Sequence, residues 1–341
     1  MTIGVLPAPA RERPAWPRPA GWAVAAVVVV VLLATPLGVT PYTNLQLTLI
    51  VAYAVAIRGL DVLTGYTGQV SLGQSAFFGI GAYAAAYGFG HGWPAVGGFL
   101  AAAALSGAVG FLAAIPAVRL RGFAFGIITL ALPVVAVPLA IRLQGVTGGS
   151  QGLSVPTLAA PAWSGLADDQ WHFYVVLVAG AAVFLLVRTF LAGRIGRALG
   201  VVRTNEIVAT SLGVPVQRYK VLAFAVAAMC GGTAGWLYMV PVQFISPDGL
   251  QLTLAISMLV SLVVGGVRSP LGSVIGAAFY VLVPDVTDKV TPGRSYLYFG
   301  AALLVVLFFF PSGVAGAAKT VVGAVATRLA RNGYPQRGAG P

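Results

Sequence analysis

From Gly21 to Pro311 the chain is a succession of apolar runs with almost no charge inside them. A backbone polar group without a partner costs several kcal/mol in hydrocarbon, so such a run can lie in a membrane only as a helix or in a closed barrel. The runs cover Gly21–Thr35, Thr43–Thr64, Val70–Tyr87, Pro94–Val118, Phe123–Leu143, Trp171–Leu191, Tyr219–Val240, Leu250–Gly266, Pro270–Pro284 and Ser295–Pro311. Most reach the roughly 17 to 25 residues that a spanning helix needs. The expected fold is all-α: a polytopic membrane protein with about ten transmembrane helices over residues 21–311. Residues 1–20 and 312–341 then read as basic cytoplasmic tails.

Charge supports this reading and removes two alternatives. Only 8% of residues are charged, against about 25% in a soluble domain. The net charge of +12 is spread over segment ends, with no basic face and no nucleic-acid motif. With alternating spans and the N-terminus inside, fifteen basic residues face inward and only Arg142, Lys289 and Arg294 face outward. That asymmetry puts both termini in the cytoplasm. Cys230 is the lone cysteine, and His91 and His172 lie far apart beside tryptophans, so no disulfide framework or metal-ligand cluster is expected.

One long hydrophilic stretch interrupts the pattern, Gly193 to Lys220, with Arg194, Arg197, Arg203, Arg218 and Lys220 against the single acid Glu206. It holds a punctuated helix. Asn205 or Thr204 can cap its start, and Glu206 in the first turn suits the helix dipole. Gly213 can take the left-handed closing position, and Pro215 forbids continuation. A small helix in the largest basic loop of a membrane protein reads as a docking surface.

The chain supplies no energy source of its own. A nucleotide-binding P-loop needs Lys followed by Ser or Thr after a Gly-rich turn, and the lysines, Lys220, Lys289 and Lys319, follow Tyr, Asp and Ala. An ion-coupled secondary transporter places ionisable groups inside its spans. Here only Arg58 and Asp61 qualify, three residues apart on one helix face near its inner end, where they read as a neutralising pair. No HExxH motif, paired intramembrane carboxylates or Ser–His pair points to an enzyme. The Gly-rich stretch Gly59–Tyr83 is the other unusual segment. Gly68, Gln69, Ser71, Gly73, Gln74, Phe77 and Gly79 read either as helix packing with satisfied polar groups or as the neutral wall of a translocation pathway.

These segments resemble the permeases of branched-chain amino acid ABC importers, the M-type subunit above all. Gly59–Tyr83 is similar to that family's GLNLLxGYxGQxSLGxxAFFGIGAY segment, Arg119–Leu130 to its RLRGxYFAxxTL segment, and Thr147–Leu153 to its TGGxxGL loop. Gly196, Arg197, Ala198, Arg203, Glu206, Ala209, Leu212, Gly213, Tyr219 and Lys220 match its cytoplasmic coupling segment. Phe244–Pro247, Val264–Gly272 and Phe310–Gly313 match later blocks, so the likeness runs over about residues 45 to 315. The resemblance implies a second permease subunit, two ATPase subunits that hold the ATP and Mg, and an extracytoplasmic solute-binding protein, all at a bacterial inner membrane. It implies no cofactor on this chain. It also implies that Arg197, Arg203, Glu206, Ala209, Leu212 and Gly213 couple to the ATPase, with Glu206 orienting the helix start or pairing with a basic group there. Asp61 stands where the family usually has Asn, and Pro133-Val-Val replaces a segment that commonly carries an acid. Relatives of this shape also carry urea, amides or other small solutes.

Overall fold

The computed structural model describes residues 32–290, apart from 121 and the side chain of 123, and isolated positions between 300 and 316. The chain divides into two compact units, residues 40–318 and a second formed by 1–39 with 319–341. Of the second unit the described part is residues 32–39, largely helical.

In the larger unit the apolar runs become helices: α1 (Pro41–Thr67), α2 (Gln74–Gly90), α3 (Ala95–Ala117), α4 (Phe123–Arg142) and α5 (Asp168–Ala192). The hydrophilic stretch folds as α6 (Arg194–Thr204) and α7 (Glu206–Ser211). After it come α8 (Val216–Val242), α9 (Leu252–Gly265) and α10 (Pro270–Val290). Each boundary has a local cause. Thr40 caps α1 by accepting from the Thr43 N–H, with Pro41 in the first turn, and Gly68 ends it at φ 75°. Pro133 and Pro138 both lie within α4. A two-residue ribbon, β1 (Leu153–Ser154) against β2 (Phe244–Ile245), joins the α4–α5 and α8–α9 connections.

The centre of the bundle is α8, packed on α1, α2 and α3. It gets there by shedding side chains. A Cβ on Gly81 of α2 would stand 1.9 Å from the Gly232 carbonyl oxygen of α8, and one on Gly232 would stand 2.1 Å from Ser106 Oγ of α3. Backbones that approach this closely gain dispersion contacts that leucine ridges cannot give, which matters where lipid offers no hydrophobic drive between helices. Around the seam Phe77 and Phe224 meet edge to face at 5.6 Å.

The bundle has two chemically distinct ends. At one, Arg203 donates to the Gly65 carbonyl, the Arg268 N–H donates to Asp61, and Lys220 pairs with Glu206. At the other, Tyr42 donates to Asp285, Lys289 pairs with Asp285, and Asn44 donates to Asp169.

The expectation of about ten spans is corrected: among the described residues six helices are long and apolar enough to cross a membrane, namely α1, α3, α4, α5, α8 and α10. Two of the runs fall short for a stated reason. Gly68 and the irregular residues up to Gly73 consume the start of Val70–Tyr87, leaving α2 with 17 residues. A 3₁₀ turn at Pro247–Leu250 precedes Leu250–Gly266 and leaves α9 with 14. Gly21–Thr35 and Ser295–Pro311 lie almost wholly outside the described residues, as do the tails at 1–20 and 317–341.

The seam predicts a sharp contrast. Gly81→Ala should cost about 3 kcal/mol, the upper end for overpacking, because the atoms it would meet are all backbone atoms of Gly232. Gly200→Ala, with nothing within 4 Å of the added Cβ, should cost nothing. Thermal unfolding of the two variants in detergent checks this, and equal midpoints would refute the seam.

Candidate solute pathway and coupling arm

The Gly-rich stretch divides by role. Gln74 donates from Nε2 to the carbonyls of Ala56 (2.9 Å) and Ala227 (3.2 Å), tying α2 to both α1 and α8. Ser71 Oγ accepts from the Gly73 N–H, and Thr129 Oγ1 of α4 accepts from the Leu72 N–H, which hold the irregular linker in place. A Cβ on Gly73 would meet Leu132 at 2.8 Å. Gln69 is buried with neither amide atom bonded. Gln74, Ser71 and Gly73 thus serve helix packing, whereas Gln69 carries no such bond.

Phe77 and Gly79 differ, because they face a cavity. It lies between α2, α3 and α4, has a volume of about 830 Å³, is half open on one side, and has Phe224 and Leu250 in its lining. Phe77, Tyr83, Tyr87 and Trp93 form an aromatic side, and Ile128, Leu132, Val135 and Leu139 of α4 form an aliphatic one. No charged side chain lines it, and the Tyr83 hydroxyl is a buried polar atom without a partner. Sequence reasoning missed most of this wall. An Ile or Val in a spanning helix looks the same whether it faces lipid or a cavity, so only the polar and glycine positions stood out.

Arg58 and Asp61 form the expected pair, at 2.5 Å, with both side chains almost wholly buried. The other Asp61 oxygen accepts from the Arg268 N–H at 2.6 Å. Arg268 is held at φ 62° in the α9–α10 turn, with its guanidinium 5.1 Å from the Tyr66 ring. Both carboxylate oxygens are therefore engaged, which suits a structural clasp.

The hydrophilic stretch is an arm. Asn205 is extended, and its Oδ1 accepts from the N–H groups of Ile207 (2.9 Å) and Val208 (3.3 Å), so α7 starts where the composition placed it. Gly213 closes it at φ 75°, with the Val214 N–H returning to the Ala209 carbonyl. The 11-residue helix α6 before it was not anticipated, although its amphipathic spacing of Ile195, Leu199 and Val202 against Arg194, Arg197 and Arg203 is the signal for it. Ala209 is buried against the bundle, while Ile207, Val208 and Leu212 are exposed, Ile207 by 73% and Leu212 by 68%. Arg197 lines a small groove between α6 and α7. Two expected coupling residues make bonds to other parts of the chain. Arg203 donates to the Gly65 carbonyl at the end of α1, beside Gly68. Glu206 Oε1 accepts from the buried Lys220 ammonium at 2.5 Å, an in-chain bond between the first turn of α7 and α8.

Comparison with known proteins follows the same lines. A family profile described as "Branched-chain amino acid transport system / permease component" matches residues 42–310. The chain is similar to the "High-affinity branched-chain amino acid transport system permease protein LivM" of Escherichia coli (strain K12), 29% identical over 317 residues, covering 84% of this chain and 73% of that one. The protein of the same description from Salmonella typhimurium is 27% identical over 295 residues, covering 78% of this chain and 68% of that one. A solved structure, "PsaBC from Streptococcus pneumoniae in complex with Fab", overlays at a TM-score of 0.46 with 18% identity, covering 83% of this chain and 97% of that one.

Two outcomes follow from this geometry. Asp61→Asn strands the buried Arg58 guanidinium and should cost roughly 3 kcal/mol; Arg58→Met/Asp61→Asn should recover most of it. Additive losses in a double-mutant cycle of thermal stability would show that the two do not act as a pair. Lys220→Met should speed amide exchange across residues 206–211 by about tenfold, the loss of one charge-assisted hydrogen bond. Unchanged exchange by mass spectrometry would mean that the ion pair does not hold α7.

Proposed function

The chain belongs to the branched-chain amino acid transport permease family, and we propose on that premise how it works within an ATP-driven importer. It is a permease component and carries no ATPase domain. Its solute is a branched-chain amino acid; the apolar cavity between α2, α3 and α4, of about 830 Å³, suits an aliphatic side chain. Phe77 and Gly79 contribute to that route, with Tyr83 offering one neutral polar contact, and the Gly68–Gln74 linker shapes it from behind.

The observation that carries the coupling role is α7 itself. It is capped at one end, turned sharply at the other, seated on Ala209, and presents Ile207, Val208 and Leu212 outward. That face docks on an ATPase subunit, two of which bind beneath the permease pair and hold the ATP and Mg. Arg203, in the last turn of α6, connects the arm to the end of α1 just before the Gly68–Gly73 linker, so movement of α7 passes through α6 to that linker. The end that carries Arg119, Arg203, Lys220 and Arg268 lies in the cytoplasm, by the excess of basic residues, and the opposite end meets the solute-binding protein. The setting is a bacterial inner membrane. ATP-driven closure of the motor pair biases a two-state change from inward- to outward-facing.

The test uses the assembled transporter in proteoliposomes. Gly213→Val forces a β-branched residue to φ 75°, a strain of about 1 to 2 kcal/mol on the exit turn, with no steric clash since the position is open. Uptake of labelled leucine should fall at least about tenfold while ATP hydrolysis and subunit assembly persist. Wild-type uptake would defeat the proposed role of the turn, and failure to co-purify with an ATPase would defeat the importer reading.

A further inference from the structure

Behind the docking face of α7 lies a second cavity, of about 400 Å³, bounded by α7, the α3–α4 connection and the start of α8. Its lining is mixed: Val118, Val214, Pro215 and Val216 stand beside the charged Arg119, Arg218 and Lys220 and the single acid Glu206. Lys220 and Glu206 neutralise each other at 2.5 Å. The guanidiniums of Arg119 and Arg218 make no ion pair or side-chain hydrogen bond among the described residues. Two exposed guanidiniums with no protein partner among the described residues therefore border one half-enclosed space. The N-terminus of α8, a helix of 27 residues, opens into the same space, and its cap residue Pro215 offers no side-chain acceptor.

We propose that this cavity is an anion site for a phosphate group. Two arginine forks match the oxygens of a phosphate, and an uncapped helix N-terminus adds backbone N–H donors and a favourable dipole. A carboxylate has fewer oxygens than this many donors, and an apolar ligand would leave both guanidiniums unpaired. The phosphate comes from an anionic lipid headgroup or from free phosphate. A bound phosphate bridges the α3–α4 connection and the start of α8, and so braces the polar face of α7 (Glu206, Thr210) while its apolar face stays free to dock. The site does not depend on the transport reading, because its readout is binding; only the lipid source depends on the membrane setting.

The experiment uses the full chain in nanodiscs of zwitterionic lipid. One arm adds phosphatidylglycerol and counts lipids retained by native mass spectrometry; the other titrates inorganic phosphate and follows thermal stability. Arg119→Gln/Arg218→Gln should weaken the bound species by roughly 30-fold, from about 1 kcal/mol per lost cation. Arg197→Gln, outside the cavity, should change nothing. Thr210→Phe fills the space without altering charge and should also abolish binding. Retained phosphatidylglycerol identifies a headgroup site, and stabilisation by inorganic phosphate identifies a free-ion site; either supports the proposal. Equal binding by wild type and the double variant, or an equal loss in Arg197→Gln, overturns it. It falls too if neither phosphate binds and an added ATPase subunit is what shields the cavity, since the occupant is then a protein side chain.

Discussion

Everything in this bundle depends on how closely α8 can approach its neighbours. At Gly81 and Gly232 the approach is backbone to backbone, closer than any Cβ would permit. In water a helix pair can rely on burying leucines. In lipid that gain is absent, and short-range dispersion between bare backbones takes its place. Once α8 is seated, α1, α2 and α3 have fixed positions around it, and the remaining helices pack on that group. The aromatic side of the large cavity is then set by α2, since Phe77, Tyr83 and Tyr87 cannot move without disturbing the seam.

The basic end is organised by a second principle, the sharing of a few polar atoms among several segments. Asp61 on α1 serves both Arg58 and the α9–α10 turn. Gly65, one turn further on, accepts from Arg203 of the arm. Three parts of the chain far apart in sequence thus meet within two turns of α1. Burying charges is costly unless each is paired, and here Arg58 and Asp61 satisfy that demand while joining segments that apolar packing alone would leave free to slide.

Much of this was readable beforehand, and the gaps have physical causes. The all-helical class followed from hydropathy alone. The ends of α7 were readable because Asn205, Gly213 and Pro215 each act on the backbone locally. The Arg58–Asp61 pair was readable because three-residue spacing fixes one helix face. Span count was not, because hydropathy does not register a backbone that unwinds inside an apolar run, as at Gly68–Gly73. The in-chain partners of Arg203 and Glu206 were not readable, because both bonds close over stretches of chain, to Gly65 and Lys220. Gln74 was readable only as one of two alternatives, packing or pathway, because its partners are carbonyls on two other helices that no local pattern reveals.

The Glu206–Lys220 pair has a broader consequence. The two residues stand at the base of the excursion formed by α7 and its exit turn, so the chain between them is a ring closed by its own charges. The closing residue Lys220 belongs to α8, so the ring is anchored to the bundle at its base while Ile207, Val208 and Leu212 face outward. Its outward residues can drift over evolutionary time to suit a different motor while the membrane core stays as it is. The handle and the machine it turns can thus evolve at separate rates within one polypeptide.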